Sequence, residues 1–220
     1  MEQTEIKNCC RHDLLLVSDN VIDRMEGEAG ECWRQYPAVP LIYTRQEIWE
    51  DIPENDGSGM IRCGLSLPYK ENGTRKRFAV YIGPDAVLQV KTPFEVAEDL
   101  AGDNGRIGKL LEEIQKIPGI RAGIYGSAAL EWVSGYRYLT DMSDVDLIIE
   151  GESREALYGF YHMLPGLEQL CQTNLDLEAR FPGGRDVKLR ELFSTQDTVM
   201  VKSVDNVELA GVEDLWKLIG

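Results

Sequence analysis

Apolar positions change period along the chain, and the changes mark out its elements. Residues Met1 to Asn8 are polar and read as a frayed start. The cluster Cys9-Cys10-Arg11-His12-Asp13 then leads into the apolar run Leu14-Leu15-Leu16-Val17, a helix or strand start with Asp13 as its cap. Tyr36 to Arg45 contains Pro37 and Pro40 and reads as an edge strand entered through prolines. Glu50 to Gly59 is an acidic Gly/Ser/Pro loop, whereas Arg24 to Cys32 has no clear pattern. Met60–Pro68 and Arg75–Ile82 read as strands, and Asn72-Gly73 between them signals a hairpin. After a short strand at Val87–Val90, Thr92-Pro93-Phe94-Glu95 places an N-cap before a proline at the first helical position.

Ala101 to Gly105 is small, polar and turn-prone, and is the expected boundary between residues 1–104 and 105–220. Beyond it Ile107, Leu110, Leu111, Ile114 and Ile117 recur at helical spacing until Pro118-Gly119. Ile120–Tyr125 is a strand running into Gly126-Ser127, and Ala128–Ser134 a helix that Gly135 ends. Leu147-Ile148-Ile149 does not alternate, so its strand should be buried on both faces. Ser153 caps a helix expected to stop near Leu164, before Pro165-Gly166. Thr173–Phe181 does alternate, with Asp176 and Glu178 on one face and Leu175, Leu177 and Ala179 on the other. An amphipathic piece at Val187–Phe193, a strand at Thr198–Val201 and a helix at Glu213–Leu218 carrying Trp216 complete the chain. The expected class is α+β: a smaller strand-rich α+β unit, then a mixed sheet with flanking helices.

Charge narrows the partners. The 220 residues hold 38 Asp and Glu against 23 Lys and Arg, a net −15, which is unlike a surface built for nucleic acid. No apolar run approaches the roughly twenty residues of a membrane span, and the start lacks a signal-peptide core. Five cysteines without a C-x-x-C, and only two histidines, argue against zinc. A cytoplasmic protein with neither nucleic-acid nor membrane partners is expected. Any anionic ligand must be met by metal or by local cations against the overall field.

Candidate chemistry lies in the second unit. Gly126 tolerates a tight strand-to-helix turn, and the helix starting at Ser127 offers unpaired N–H groups, so Gly126-Ser127 is an anion cradle. Asp144 and Asp146 are two apart on a strand and project from the same face. Side by side they repel unless a cation lies between them, and oxygen-only ligands suit Mg²⁺. If the Thr173–Phe181 strand pairs beside them, Asp176 becomes a third carboxylate at that metal, with Glu178 the alternative if the register differs. Arg137, in the loop Gly135–Met142, is a candidate for charge neutralisation. Arg75-Lys76-Arg77 is the one dense basic patch, serving either to protect a strand edge or to hold an anionic partner.

A Gly-Ser helix start followed by an Asp-x-Asp strand resembles the nucleotidyltransferase (polymerase-β-like) superfamily. The sixteen-residue spacer from Ala128 to Ser143 is similar to that of one family within it. Arg11-His12-Asp13-Leu14-Leu15, Arg62-Cys63-Gly64, Lys76-Arg77-Phe78-Ala79, Thr92-Pro93, Gly135, Ser143-Asp144-Val145-Asp146-Leu147 and Leu175-Asp176-Leu177-Glu178 extend the likeness. That family is the phosphoribosyl-dephospho-CoA transferases, also called malonate decarboxylase holo-acyl-carrier-protein synthases. The resemblance implies a triphosphoribosyl-dephospho-CoA donor and, as acceptor, a serine of the malonate decarboxylase acyl-carrier subunit. It implies Mg²⁺ on Asp144 and Asp146, with Asp176 a metal ligand or general base. Gly126-Ser127 would cradle the departing diphosphate, and the first unit would dock the donor or the carrier. Two other readings share these residues: a nucleotidyltransferase that uses ATP or another nucleoside triphosphate, and a silent binding module that keeps the fold.

Overall fold

In the computed structural model, which describes residues 6, 8–46, 59–140 and 143–219, the first half of the chain forms one antiparallel sheet. The expected loop at Glu50–Gly59 falls outside the described residues except for Gly59, as do most of Met1–Asn8 and positions 141–142. The sheet comprises β1 (Leu14–Val17), β2 (Leu41–Tyr43), β3 (Ile61–Glu71), β4 (Thr74–Ile82) and β5 (Val87–Lys91), in the order β4-β3-β2-β1-β5. Asn72 at φ 51° and Gly73 at φ 79° turn β3 into β4, as an Asn-Gly pair between apolar runs requires.

The strand at Leu41–Tyr43 is interior, not an edge: Ile42 faces Leu14 of β1 on one side and Gly64 of β3 on the other. Both prolines precede the paired residues, so they remove no hydrogen bond from the ladder. Two helices that the pattern did not reveal, α1 (Asp19–Arg24) and α2 (Gly27–Trp33), fill the stretch between β1 and β2. The second brings Trp33 into the core, fully buried.

Helix α3 (Pro93–Leu100) has the expected start, with Thr92 and Glu95 exchanging hydrogen bonds in a capping box. It lies across β6 (Ile120–Tyr125), where Gly123 permits the approach: a Cβ there would sit 2.9 Å from Pro93. Helix α4 (Arg106–Gln115) precedes that strand and α5 (Gly126–Ser134) follows it, ending at Gly135 in the left-handed conformation. The remaining strands are β7 (Val145–Gly151), β8 (Leu175–Phe181), β9 (Arg185–Lys188), β10 (Thr198–Lys202) and β11 (Val207–Gly211), giving the order β11-β10-β9-β8-β7-β6. Only β7 and β8 run parallel, so this sheet is mixed.

Helix α6 (Arg154–Cys171) makes the parallel crossover and runs straight through Pro165-Gly166 instead of stopping near Leu164. A mid-helix proline forfeits one hydrogen bond and costs roughly 3 kcal/mol. The buried stripe Leu157, Phe160, Leu164, Leu167 and Cys171 continues past it and outweighs that loss. Short helices α7 (Leu189–Leu192) and α8 (Val212–Trp216) close the fold, the latter burying Trp216 as expected. Among the described residues no helix is long and apolar enough to cross a membrane.

Alternation along β7 and β8 separates two faces. Val145, Leu147, Ile149, Leu175, Leu177 and Ala179 are buried beneath α4 and α6, in a core that also takes in the first sheet. The opposite face carries Asp146, Ile148, Asp176, Glu178 and Arg180, and onto it fold α3 and the segment from Cys10 to Asp13.

Candidate active site

The parallel register sets Asp146 directly beside Asp176, and the antiparallel one sets Tyr125 beside Asp146. Two carboxylates thus stand on neighbouring strands at the start of α5. Asp144, just before β7, is exposed and accepts a hydrogen bond from Asn174 Nδ2 at 3.3 Å. Burial pushes the Asp146 carboxyl up to about 6, helped by the charges of Asp176 and Asp144 and opposed by Lys188 and the Ser127 N–H.

That last contact changes the picture of the cradle. Gly126 takes φ 65°, and a Cβ there would fall 2.0 Å from Asp146 Oδ2. The carboxylate lies over the glycine and accepts the Ser127 amide hydrogen bond at the helix start. Gly126-Ser127 is therefore built for an anion, and here Asp146 itself is that anion.

Asp176 is half-exposed and bonds Lys188 Nζ at 2.5 Å. Glu178, one step further along the same face, is only 3% exposed and is spoken for on both oxygens. Its Oε2 meets Arg11 Nη1 at 3.2 Å and His12 Nε2 at 3.3 Å, while Oε1 meets Lys202 Nζ at 3.2 Å. Burial alone would raise its pKa, but the His12 hydrogen bond and the Arg11 and Lys202 charges outweigh burial and hold it well below the carboxylate range. Next along, Arg180 grips the fully buried Asp186 in a two-pronged pair at 2.7 and 2.9 Å, and also donates to the Arg11 carbonyl at 3.0 Å.

The oxygens of Asp144, Asp146 and Asp176 do not gather as tightly as those of another group. Among the described residues, the ligand atoms that lie within 4.8 Å of one another belong to His12, Glu178 and Asp186. A cation already serves that trio: Arg11 Nη1 stands 3.2 Å from Glu178 and 3.3 Å from Asp186. The three aspartates, by contrast, form an oxygen-only set in which Asp146 is raised first by burial and then by the charges of Asp176 and Asp144, and such a set suits a hard dication.

The other sequence candidates are dispersed. Arg137 is exposed and lines a cleft of about 690 Å³ with Arg106, Trp132 and Leu139, none of the three aspartates being in its wall. Arg75 is structural: it donates to the carbonyls of Tyr138 at 2.9 Å and Leu67 at 3.3 Å, its guanidinium over the Tyr138 ring. Lys76 pairs with Glu28 and Glu71. Arg77 is exposed on β4, an edge strand.

The cations nearest the carboxylates are instead Lys188, Lys202, Arg11 and Arg180, none of which the motifs singled out for binding. Their signal was present but faint. Asp186 and Lys188 are two apart on β9, and Lys202 pairs in register with Asp186, so alternation puts all three on the face of Glu178.

Comparison with known proteins identifies the family. Residues 97–213 match the family described as the phosphoribosyl-dephospho-CoA transferase MdcG C-terminal domain. Three curated relatives carry the name phosphoribosyl-dephospho-CoA transferase. That of Azotobacter vinelandii is 27% identical over 94% of this chain and 93% of its own. Those of Bradyrhizobium diazoefficiens and Xanthomonas euvesicatoria are 26% and 25% identical, covering 66% and 72% of this chain and 66% and 76% of theirs. No solved structure matches the chain.

Proposed function

Since the chain belongs to the phosphoribosyl-dephospho-CoA transferase family, a family of transferase enzymes, we propose that it attaches that prosthetic group to a protein serine. The donor is triphosphoribosyl-dephospho-CoA and the acceptor the acyl-carrier subunit of malonate decarboxylase. The observation that carries this reading is the register of Asp146 against Asp176 at the Gly126-Ser127 helix start. It sets paired carboxylates at a helix start where Asp146 takes the Ser127 N–H and the other first-turn N–H groups suit a phosphate.

In this scheme Asp144, Asp146 and Asp176 would hold Mg²⁺, which would supply charge neutralisation for the transfer. Asp176 is the third carboxylate rather than Glu178, whose oxygens are taken by Arg11, His12 and Lys202. The serine oxygen bonds to the α-phosphorus as the bond to the departing diphosphate breaks. Lys188 and Lys202, both part-exposed, lend positive charge to a donor that the rest of this acidic chain repels. The test is mass spectrometry of the carrier subunit after incubation with the donor and Mg²⁺. An added phosphoribosyl-dephospho-CoA with release of diphosphate supports the reading. No adduct, with nucleotidyl transfer from ATP in its place, would replace it with the nucleoside-triphosphate alternative.

The basic patch enters this scheme through Arg77. Arg77→Ser is expected to slow carrier modification severalfold at low salt and to leave thermal stability unchanged. Arg75→Ser should instead lower the melting temperature by several degrees, because two backbone carbonyls lose their donor. Equal transfer rates for Arg77→Ser and the parent at low and high salt would reduce the patch to edge protection.

A further inference from the structure

His12 holds an unusual backbone. Its φ is 74°, a left-handed value that costs a non-glycine residue about 1 kcal/mol or more. The segment is fixed there by hydrogen bonds on either side: the His12 N–H donates to the Tyr43 carbonyl at 3.2 Å, and the Tyr43 N–H to the Asp13 carbonyl at 2.8 Å. The effect is to carry the imidazole away from the first sheet and onto the carboxylate face of the second. There it stacks on Tyr125 with ring centroids 4.0 Å apart, and Nε2 reaches Glu178. Tyr125 is the register partner of Asp146, and Glu178 follows Asp176 on the same face, so the ring is one residue pair from the aspartates.

The environment fixes the tautomer. Glu178, ringed by Arg11 and Lys202, is a carboxylate and can only accept, so Nε2 carries the proton and donates it. Nδ1 then keeps its lone pair. It has no partner among the described residues and is not sealed from solvent, on a side chain 19% exposed. Burial also lowers the imidazole pKa, the Glu178 bond opposing it only in part, which leaves the ring neutral near pH 7.

We propose that His12 is the general base of the transfer, with Glu178 as the residue that positions it. This rests on the transferase reading above. The acceptor serine gives its hydroxyl proton to His12 Nδ1 as its oxygen bonds the α-phosphorus. The bond to the β-phosphate oxygen breaks, and diphosphate leaves with that electron pair. Asp176, held by Lys188, is left to its metal-binding role.

The test compares the parent with His12→Ala and His12→Gln, measuring carrier modification, diphosphate release and donor affinity by calorimetry. Both variants are expected to lose about a hundredfold or more in transfer while binding the donor as the parent does. Added imidazole should restore much of the His12→Ala rate, and more basic substituted imidazoles should restore more. A transfer rate within threefold of the parent in either variant would overturn the assignment. So would a loss that no imidazole recovers, or one matched by an equal loss of donor affinity. A parent protein that modifies no carrier at all would instead sink the transferase reading itself.

Discussion

Asp146→Asn should give a protein that is more stable without metal and inactive with it. The carboxyl is raised to about 6 in the fold, chiefly by burial and by Asp176, against 3.8 for the free group. Between those two values the unfolded chain gives up a proton that the folded chain keeps, so stability falls as pH rises through that window. Above pH 6 the full cost of holding this carboxylate persists. Asparagine carries none of it and can still accept the Ser127 N–H. Melting curves in EDTA should therefore coincide near pH 4 and diverge in favour of the variant by a few degrees at pH 7.5. Transfer with Mg²⁺ should fall by roughly a hundredfold or more, since the proposed scheme then lacks one oxygen ligand and its charge. Equal melting temperatures at pH 7.5 would remove the repulsion argument, and retained transfer would remove Asp146 from the metal site.

The largest loss of stability should come from Asp186→Ala. Asp186 is fully buried, and its two oxygens are the only anionic partners of the buried Arg180 guanidinium among the described contacts. Deleting it strands that charge, at a typical cost of about 3–5 kcal/mol, or roughly 10 °C in a chain of this size. Arg11 loses a partner as well, at 3.3 Å, although Glu178 remains to it. Removing both ends of the buried pair, as Arg180→Met with Asp186→Leu, should recover much of the loss because no charge is left unpaired. Chemical denaturation of the single and double variants decides the matter: a double variant as unstable as the sum of its parts would place the energy elsewhere.

Much of this was legible because period carries it. The alternation in Thr173–Phe181 separated Asp176 and Glu178 from Leu175 and Leu177, and the structure keeps that division residue for residue. Asn72-Gly73, the Thr92 cap and the stop at Gly135 depend on local backbone demands, and local sequence meets them. Where tertiary packing outweighs a local rule, the reading failed. Pro165-Gly166 is a sound stop signal, but the apolar stripe continued beyond it. Pro37 and Pro40 suggested an edge, but strand order is decided by partners far away in the chain. The strand at Val207–Gly211 was missed because its residues are largely exposed and leave no apolar signature. The partners of Glu178 were beyond reach for a similar reason: His12 lies 166 residues earlier, and no spacing rule links the two.

That separation bears on the order in which the molecule assembles. Arg11 meets Asp186 across 175 residues, and the strands carrying Glu178 and Asp186 emerge late in synthesis. The first sheet, complete by Lys91, can form while its Arg11 and His12 still face water. The ion cluster can then close only after the second sheet has set its register, since two of its carboxylates belong to β8 and β9. Contacts made this late are absent from the folding barrier and govern the return path instead. Arg11→Met should accordingly leave the refolding rate nearly unchanged in stopped-flow experiments and speed unfolding by about tenfold or more, and a slower refolding limb would mean that the cluster nucleates the fold.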